Sequence, residues 1–221
     1  MEAVSIIALS MGAAWASGIN LYATLFMLGY MGSTGNMTLP VELEVLSNPM
    51  VMAAAGFMYC VEFFADKIPG VDSAWDTVHT VIRIPAGAML AASAVGDVGV
   101  AMELTTALLG GALAAGTHTT KAGSRLLINT SPEPVTNWTV SISEDLLVIG
   151  GLWTALYHPT LFIIGLSVFI LMMIWLLPRL WRLVKTIFYK IGSCLGLCDP
   201  IIIQADIQQE VNSSVGKSPK T

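Results

Sequence analysis

Six apolar stretches divide the chain, at Ala3 to Tyr30, Pro49 to Ala65, Ala74 to Val95, Ala101 to Ile128, Ile142 to Tyr157 and Thr160 to Leu177. Each approaches or exceeds the roughly 20 helical residues that a bilayer crossing needs. The segments between them, "GSTGNMTLP", "DKIPGVDS", "GDVG", "NTSPEPVTN" and "YHP", are rich in the turn formers Gly, Pro, Asn and Asp. The pattern predicts an all-α integral membrane protein with about six transmembrane helices. After Leu177 the register changes. "RLWRLVKTIFYKIG" sets Arg179, Arg182 and Lys185 along one side and Leu180, Leu183, Ile187 and Phe188 elsewhere, so 179–198 is expected to be an amphipathic helix at the cytoplasmic surface. The remainder, 199–221, is polar and is expected to be disordered.

Composition supports the membrane assignment. Of 221 residues 55% are hydrophobic and only 11% charged, and the mean hydropathy is +0.73, more than a soluble core of this size requires. The net charge of -5 says little, because the acids cluster near turns and Arg179, Arg182, Lys185 and Lys190 follow the last apolar run. No basic patch suggests nucleic acid. Cys60, Cys194 and Cys198 form neither a disulfide framework nor a zinc pattern, and nothing implies a cofactor. Ala14-Trp15-Ala16 resembles a signal-cleavage site, but the run lacks a basic start and continues past it, so the first span is read as retained.

Lys67, Lys121, Arg125 and the basic C-terminal segment all fall on one side of a six-span arrangement, which the positive-inside rule makes cytoplasmic together with both termini. Splitting the chain at "GDVG" gives two three-helix repeats, 1–96 and 101–178. Because three is odd, a repeat relating them must be inverted. "WASGINLYATL" in the first span has a counterpart in "LAAGTHTTKAG" in the fourth, pairing Gly18 and Asn20 with Gly116 and His118; Pro40 and Gly56 are spaced as are Pro134 and Gly150. Two readings of these Gly-polar elements compete. Glycine serves close packing in a continuous helix, or helices 1 and 4 are interrupted and their freed backbone groups help form a polar site. The expectation taken forward is interruption.

The charges concentrate in "EFFADKIPGVDSAWDTVHTVIR", Glu62 to Arg83. Asp72 suits a helix start beside the Pro69-Gly70 turn. Asp72, Asp76, His79 and Arg83 recur at intervals of four, three and four, a single helical stripe, and Glu62 and Asp66 are four apart on the helix before it. Charges buried in a bilayer face a partner or a water-filled cavity. The hairpin is therefore either salt-bridged for packing or an ion site, in which Glu62 and Asp66 change charge with occupancy and His79 titrates near neutrality. In the fourth span His118 and Lys121 supply the facing half; Lys121 and Arg125 are also placed to snorkel. Candidate ion-binding residues are Asn20, Glu62, Asp66, Asp76, His79, Arg83, His118 and Lys121. Should a metal bind, its candidate ligands are Glu62, Asp66, Asp76 and His79. Pro132 and Pro134 mark a loop, Glu133 could answer Lys121 or Arg125, and Ser143, Glu144 and Asp145 suit the start of the fifth helix.

"ASGINLYATLFMLG", the Glu62–Arg83 run with "PAGA" after it, "GTHTTKAGSRLLINTSPEPVTNW" and "SED" together resemble a bacterial multi-pass membrane family, domain of unknown function 4126, from about Ala16 to Asp145. The resemblance implies a bacterial inner-membrane location and supplies no activity. "EFFADK" is also loosely similar to the acidic motif of six-span cation exporters with inverted repeats. Its spacing is one residue longer, the glycine is missing and the second half has no copy, so that family's cation is not carried over.

Three functions follow as expectations. The first is a small transporter or channel, for a cation or a proton-coupled solute, with its site between the repeats. The second is a non-catalytic membrane scaffold. The third, an intramembrane enzyme acting on lipid, has no supporting motif. Expected partners are the bilayer and a small ion or solute; small-residue runs such as "GGALAAG" also permit a homo-oligomer.

Overall fold

The structure is a computed structural model that describes residues 3–68, 70–129 and 134–194. Its regular structure is helical, with no strand among the described residues. The helices are α1 (Ala3–Ile19), α2 (Leu21–Ser33), α3 (Pro49–Ala65), α4 (Val71–Val95), α5 (Val100–Ile128), α6 (Pro134–Tyr157) and α7 (Pro159–Cys194), with a 3-10 helix at Val41–Ser47 before α3. Four helices, α4 to α7, are long and apolar enough to cross a membrane. A fifth crossing results if the 3-10 helix and α3, bent by 69°, count as one.

Helix boundaries have local causes. Asn48 caps α3 by accepting a hydrogen bond from the Met50 amide at 2.9 Å, and Pro49 follows at the first helical position, where its missing N–H costs nothing. Between α4 and α5 the chain reverses through Gly96 and Gly99, at φ 72° and 96°, a conformation that only glycine adopts freely.

Two compact units divide the chain, Met1–Pro178 and Arg179–Thr221. In the first, α1 packs against α4, α5 and α6. Small residues set this approach. A Cβ on Gly18 would lie 2.6 Å from the Ala114 carbonyl oxygen, and one on Gly87 2.4 Å from the Ala114 Cβ. Trp15 packs edge-on against Phe162 and Phe169 of α7. The polarity is inverted relative to a soluble protein: Val78, Val81, Leu108, Leu109 and Leu171 face outward, whereas Arg83 and Arg125 are the largest wholly buried side chains. That distribution suits lipid as the surrounding solvent.

The first apolar stretch is interrupted, at Asn20. The fourth is not: α5 runs unbroken from Val100 to Ile128. Its polar run satisfies itself inside the helix, since the Thr117, Thr119 and Thr120 hydroxyls donate to the carbonyls of Leu113, Ala115 and Gly116, and Gly116 admits the Met173 sulfur, which a Cβ would meet at 2.7 Å. The fifth stretch begins earlier than its hydropathy implies, because α6 starts at Pro134. In the second unit the expected amphipathic segment is helical through Cys194; residues 195–198, the polar tail 199–221 and Glu133 lie outside the described residues.

Candidate functional site

The break at Asn20 is chemical as well as geometric. Asn20 leaves helical geometry, at φ -145° and ψ 100°, and its side-chain Oδ1 accepts from the Ala23 amide at 2.9 Å. In a continuous helix that amide would bond the Ile19 carbonyl. Deprived of it, the Ile19 oxygen accepts instead from the Lys121 ammonium at 3.1 Å. The other end of the Asn20 amide donates to Asp145 Oδ1 at 3.1 Å, so Ile19 and Asn20 tie the break to α5 and α6 respectively.

Lys121 stands at the centre of the charges. Its Nζ donates to Asp66 Oδ2 at 2.8 Å, and Glu62 Oε1, Asp76 Oδ1 and Glu144 Oε2 lie at 3.5, 3.7 and 3.7 Å. Two guanidinium groups flank it. Arg83 pairs with Glu62 and donates to Asp76 Oδ1 at 2.9 Å. Arg125 donates to Glu144 Oε2 at 2.5 Å, to Asn137 Oδ1 at 2.6 Å and to the Asp66 carbonyl at 3.0 Å. The expected stripe on α4 thus faces inward, where Glu62 meets it through Arg83, whereas Asp66 pairs with Lys121 and Arg125 of α5. Lys121 and Arg125 do not snorkel. Carboxylates from three other helix segments surround them, and an ion pair inside the bundle replaces the water that a free lysine would need.

Four carboxyl groups, of Glu62, Asp66, Asp76 and Glu144, pair with three cationic side chains, Arg83, Lys121 and Arg125, while Asp145 adjoins them through Asn20 and has Lys67 among its neighbouring charges. If all four paired acids ionise, an excess of one negative charge remains. Among the described residues, Glu62 Oε2, Asp66 Oδ1, Asp76 Oδ2 and Asp145 Oδ2 have no hydrogen-bond partner, nor does Ser141 Oγ. Buried polar atoms are normally paired. The unpaired donors Arg83 Nε, Arg125 Nε and Asn137 Nδ2 belong to the same centre, whereas Trp15 Nε1, Trp75 Nε1 and Asn129 Oδ1 lie apart from it.

The histidines are held in defined tautomers. His118 Nδ1 lies 3.1 Å from an Arg83 nitrogen that can only donate, and its Nε2 lies 2.7 Å from Thr80 Oγ1, which itself donates to the Asp76 carbonyl. His118 is therefore a neutral imidazole with its proton on Nε2. His79 Nδ1 faces the Trp75 carbonyl at 2.9 Å and its Nε2 the Tyr22 hydroxyl at 3.1 Å, with the Trp75 ring stacked at 4.2 Å. No described carboxylate lies within ion-pair distance of His79, so it is separate from the carboxylate centre. Of the candidate metal ligands, Glu62, Asp66 and Asp76 converge on the Lys121 ammonium and His79 stands apart; no described group of three or more His, Cys, Asp or Glu side chains is arranged to hold a metal.

Two other charged residues have separate roles. Lys67 makes no ion pair among the described residues. Its ammonium donates to the Phe63 carbonyl at 3.0 Å and lies 2.9 Å from the Phe63 ring centroid, and burial lowers its pKa. Asp72 accepts from the amides of Gly70 and Ser73 and from the Asn129 side chain, which fastens the α3–α4 turn to the end of α5. Asn137, Ser141, Glu144 and Asp145 were not anticipated as members of the centre. Their signal was present: 137, 141 and 145 continue as the buried positions 148, 152 and 155, one stripe at helical spacing, hidden by Pro132 and Pro134.

A helical bundle that is apolar outside and ionic within, with several helices of crossing length, defines a multi-pass membrane protein built around a buried charged centre. The chain belongs to the family described as Domain of unknown function (DUF4126), whose model matches residues 7–179, a range that includes every residue of that centre. Neither a curated protein nor a solved structure matches the chain.

Proposed function

We propose that this protein is a small transporter or channel of the bacterial inner membrane, for a cation or a proton-coupled solute, with the centre around Lys121 as its site. The observation that carries this reading is the set of carboxylate oxygens on Glu62, Asp66, Asp76 and Asp145 that are buried without a partner among the described residues in a cluster with more acids than bases. Such oxygens are costly in a protein that only needs to fold, and they suit a positively charged guest. In this reading α1 with α2 forms a sixth crossing, interrupted where the site lies, and both termini are cytoplasmic. The correspondence between Gly18-Asn20 and Gly116-His118 supports an inverted three-plus-three repeat, since Asn20 and His118 both contact the charged centre.

Flux into proteoliposomes holding the purified protein tests the proposal, with pH-sensitive and metal-sensitive dyes inside and a panel of protons, monovalent and divalent cations outside. Wild type supports cation-dependent flux, and Asp66→Asn lowers it on the order of tenfold or more while the protein remains folded. Absence of flux for every cation, from folded protein, rejects the cation reading. A second reading has its own support: the ion pairs tie α3, α4, α5 and α6 together, as a membrane scaffold would require. In that case Asp66→Asn lowers thermal stability or abundance, and deletion of the segment after Leu177 is the functional lesion.

A further inference from the structure

An ammonium group has three N–H donors. The Lys121 ammonium faces five oxygens from five residues: Asp66 Oδ2 at 2.8 Å, the Ile19 carbonyl at 3.1 Å, Glu62 Oε1 at 3.5 Å, and Asp76 Oδ1 and Glu144 Oε2 at 3.7 Å. Three of these oxygens, on Glu62, Asp76 and Glu144, also accept from Arg83 or Arg125, so the ammonium shares its cradle with two guanidinium groups. One of the five is the carbonyl released by the helix break, a group that serves no other described hydrogen bond. On α6 the Ser141 hydroxyl, 1% exposed, has no partner among the described residues. It lies on the same helical stripe as Asn137, which bonds Arg125, and Asp145, which bonds Asn20.

We propose that Lys121 is a tethered cation, that its ammonium occupies a binding place for a free monovalent cation, and that the two exchange. The inference deepens the transporter reading and rests on it for its meaning, since exchange with a tethered charge lets a cation enter and leave without the cluster becoming an uncompensated set of anions. A monovalent ion replaces the ammonium charge for charge. A divalent ion would not, and the arginines already hold Glu62, Asp76 and Glu144. Lysine is suited to the role by its flexible stem and compact charge.

Two measurements on purified full-length protein in detergent test it. In wild type, reductive methylation of Lys121 is followed by mass spectrometry in sodium, potassium or methylammonium chloride at constant ionic strength, with N-methylglucamine as the balancing ion. At least one of these cations is expected to raise the methylation rate several-fold by displacing the ammonium into reach of the reagent. The second measurement uses Lys121→Met, which removes the ammonium and leaves its place one positive charge short. Its Tm is expected to rise by roughly 5–10 °C at about 100 times the Kd of the cation that fits, with a smaller response in wild type. The proposal is overturned if no monovalent cation changes Lys121 methylation. A Lys121→Met variant that responds no more than wild type, or only to calcium or magnesium, overturns it equally. If that variant does not fold, the methylation result decides alone. Flux without these responses leaves the transporter reading standing and removes the tethered cation; these responses without flux do the reverse.

Discussion

Arg83 shows how much a single side chain holds in this interior. It is wholly buried, as is Glu62, and it satisfies Glu62, Asp76 and the acceptor nitrogen of His118 at once. Two buried ions attract each other strongly only because both have lost water, so removing one leaves the other with its full desolvation cost. Arg83→Met is expected to destabilise the protein by about 3–5 kcal/mol, read as a lowered Tm in detergent. Adding Glu62→Leu to Arg83→Met removes the stranded charge as well. The double variant should unfold at a higher temperature than Arg83→Met alone; if it does not, the two residues are not coupled as the geometry implies.

Among elements, the decisive contact is the approach of α1 to α4 and α5. Lipid gives apolar side chains no reason to leave it, so helices in a bilayer associate where small residues allow close packing. Gly18 meets the α5 backbone, whereas Gly150 has nothing within 4 Å of the position a Cβ would take. Gly18→Ala must push α1 from α5 and is expected to cost about 1–3 kcal/mol. Gly150→Ala is expected to leave the Tm unchanged or slightly raised, as replacing an unconstrained helical glycine should. Thermal unfolding of the two variants side by side checks this. The Gly18 variant also draws the Ile19 carbonyl away from Lys121, so it should reduce flux together with stability.

For the whole molecule, the placement of turns relative to the bilayer is the property to test. Asn129 bonds Asp72 and Arg125 bonds the Asp66 carbonyl, which brings the α3–α4 and α5–α6 connections to one side. The grouping agrees with the arrangement expected from the basic residues, although Lys67, Lys121 and Arg125 are all buried, which leaves orientation to the basic segment beginning at Arg179. With Cys60, Cys194 and Cys198 replaced by serine, single cysteines at Asn36 and Asp97 should react with a membrane-impermeant maleimide from outside intact cells. One at Ile68 should react only after the membrane is opened. Labelling of Ile68→Cys from outside would reverse the orientation, and labelling of Asn36→Cys and Asp97→Cys from opposite sides would remove the six-crossing arrangement.

The sequence by itself determined the membrane class, the α3 boundaries and the inward stripe from Asp72 to Arg83, and it marked the Gly18-Asn20 element as one of two places where a helix is either closely packed or broken. These are periodic or local signals: apolar runs of crossing length, a 3.6-residue spacing, and a glycine with a polar residue inside an apolar stretch. The same signals misjudged α5, because a threonine hydroxyl bonding back to its own helix and a glycine admitting a neighbour's sulfur look, along the chain, like the start of an interruption. Whether Lys121 and Arg125 reach outward to water or inward to carboxylates could not be decided from their spacing either. That choice depends on Glu62, Asp66, Asp76 and Glu144 arriving from α3, α4 and α6, and only the tertiary structure brings those charges within reach of one ammonium group, where lost hydration is replaced by ion pairing.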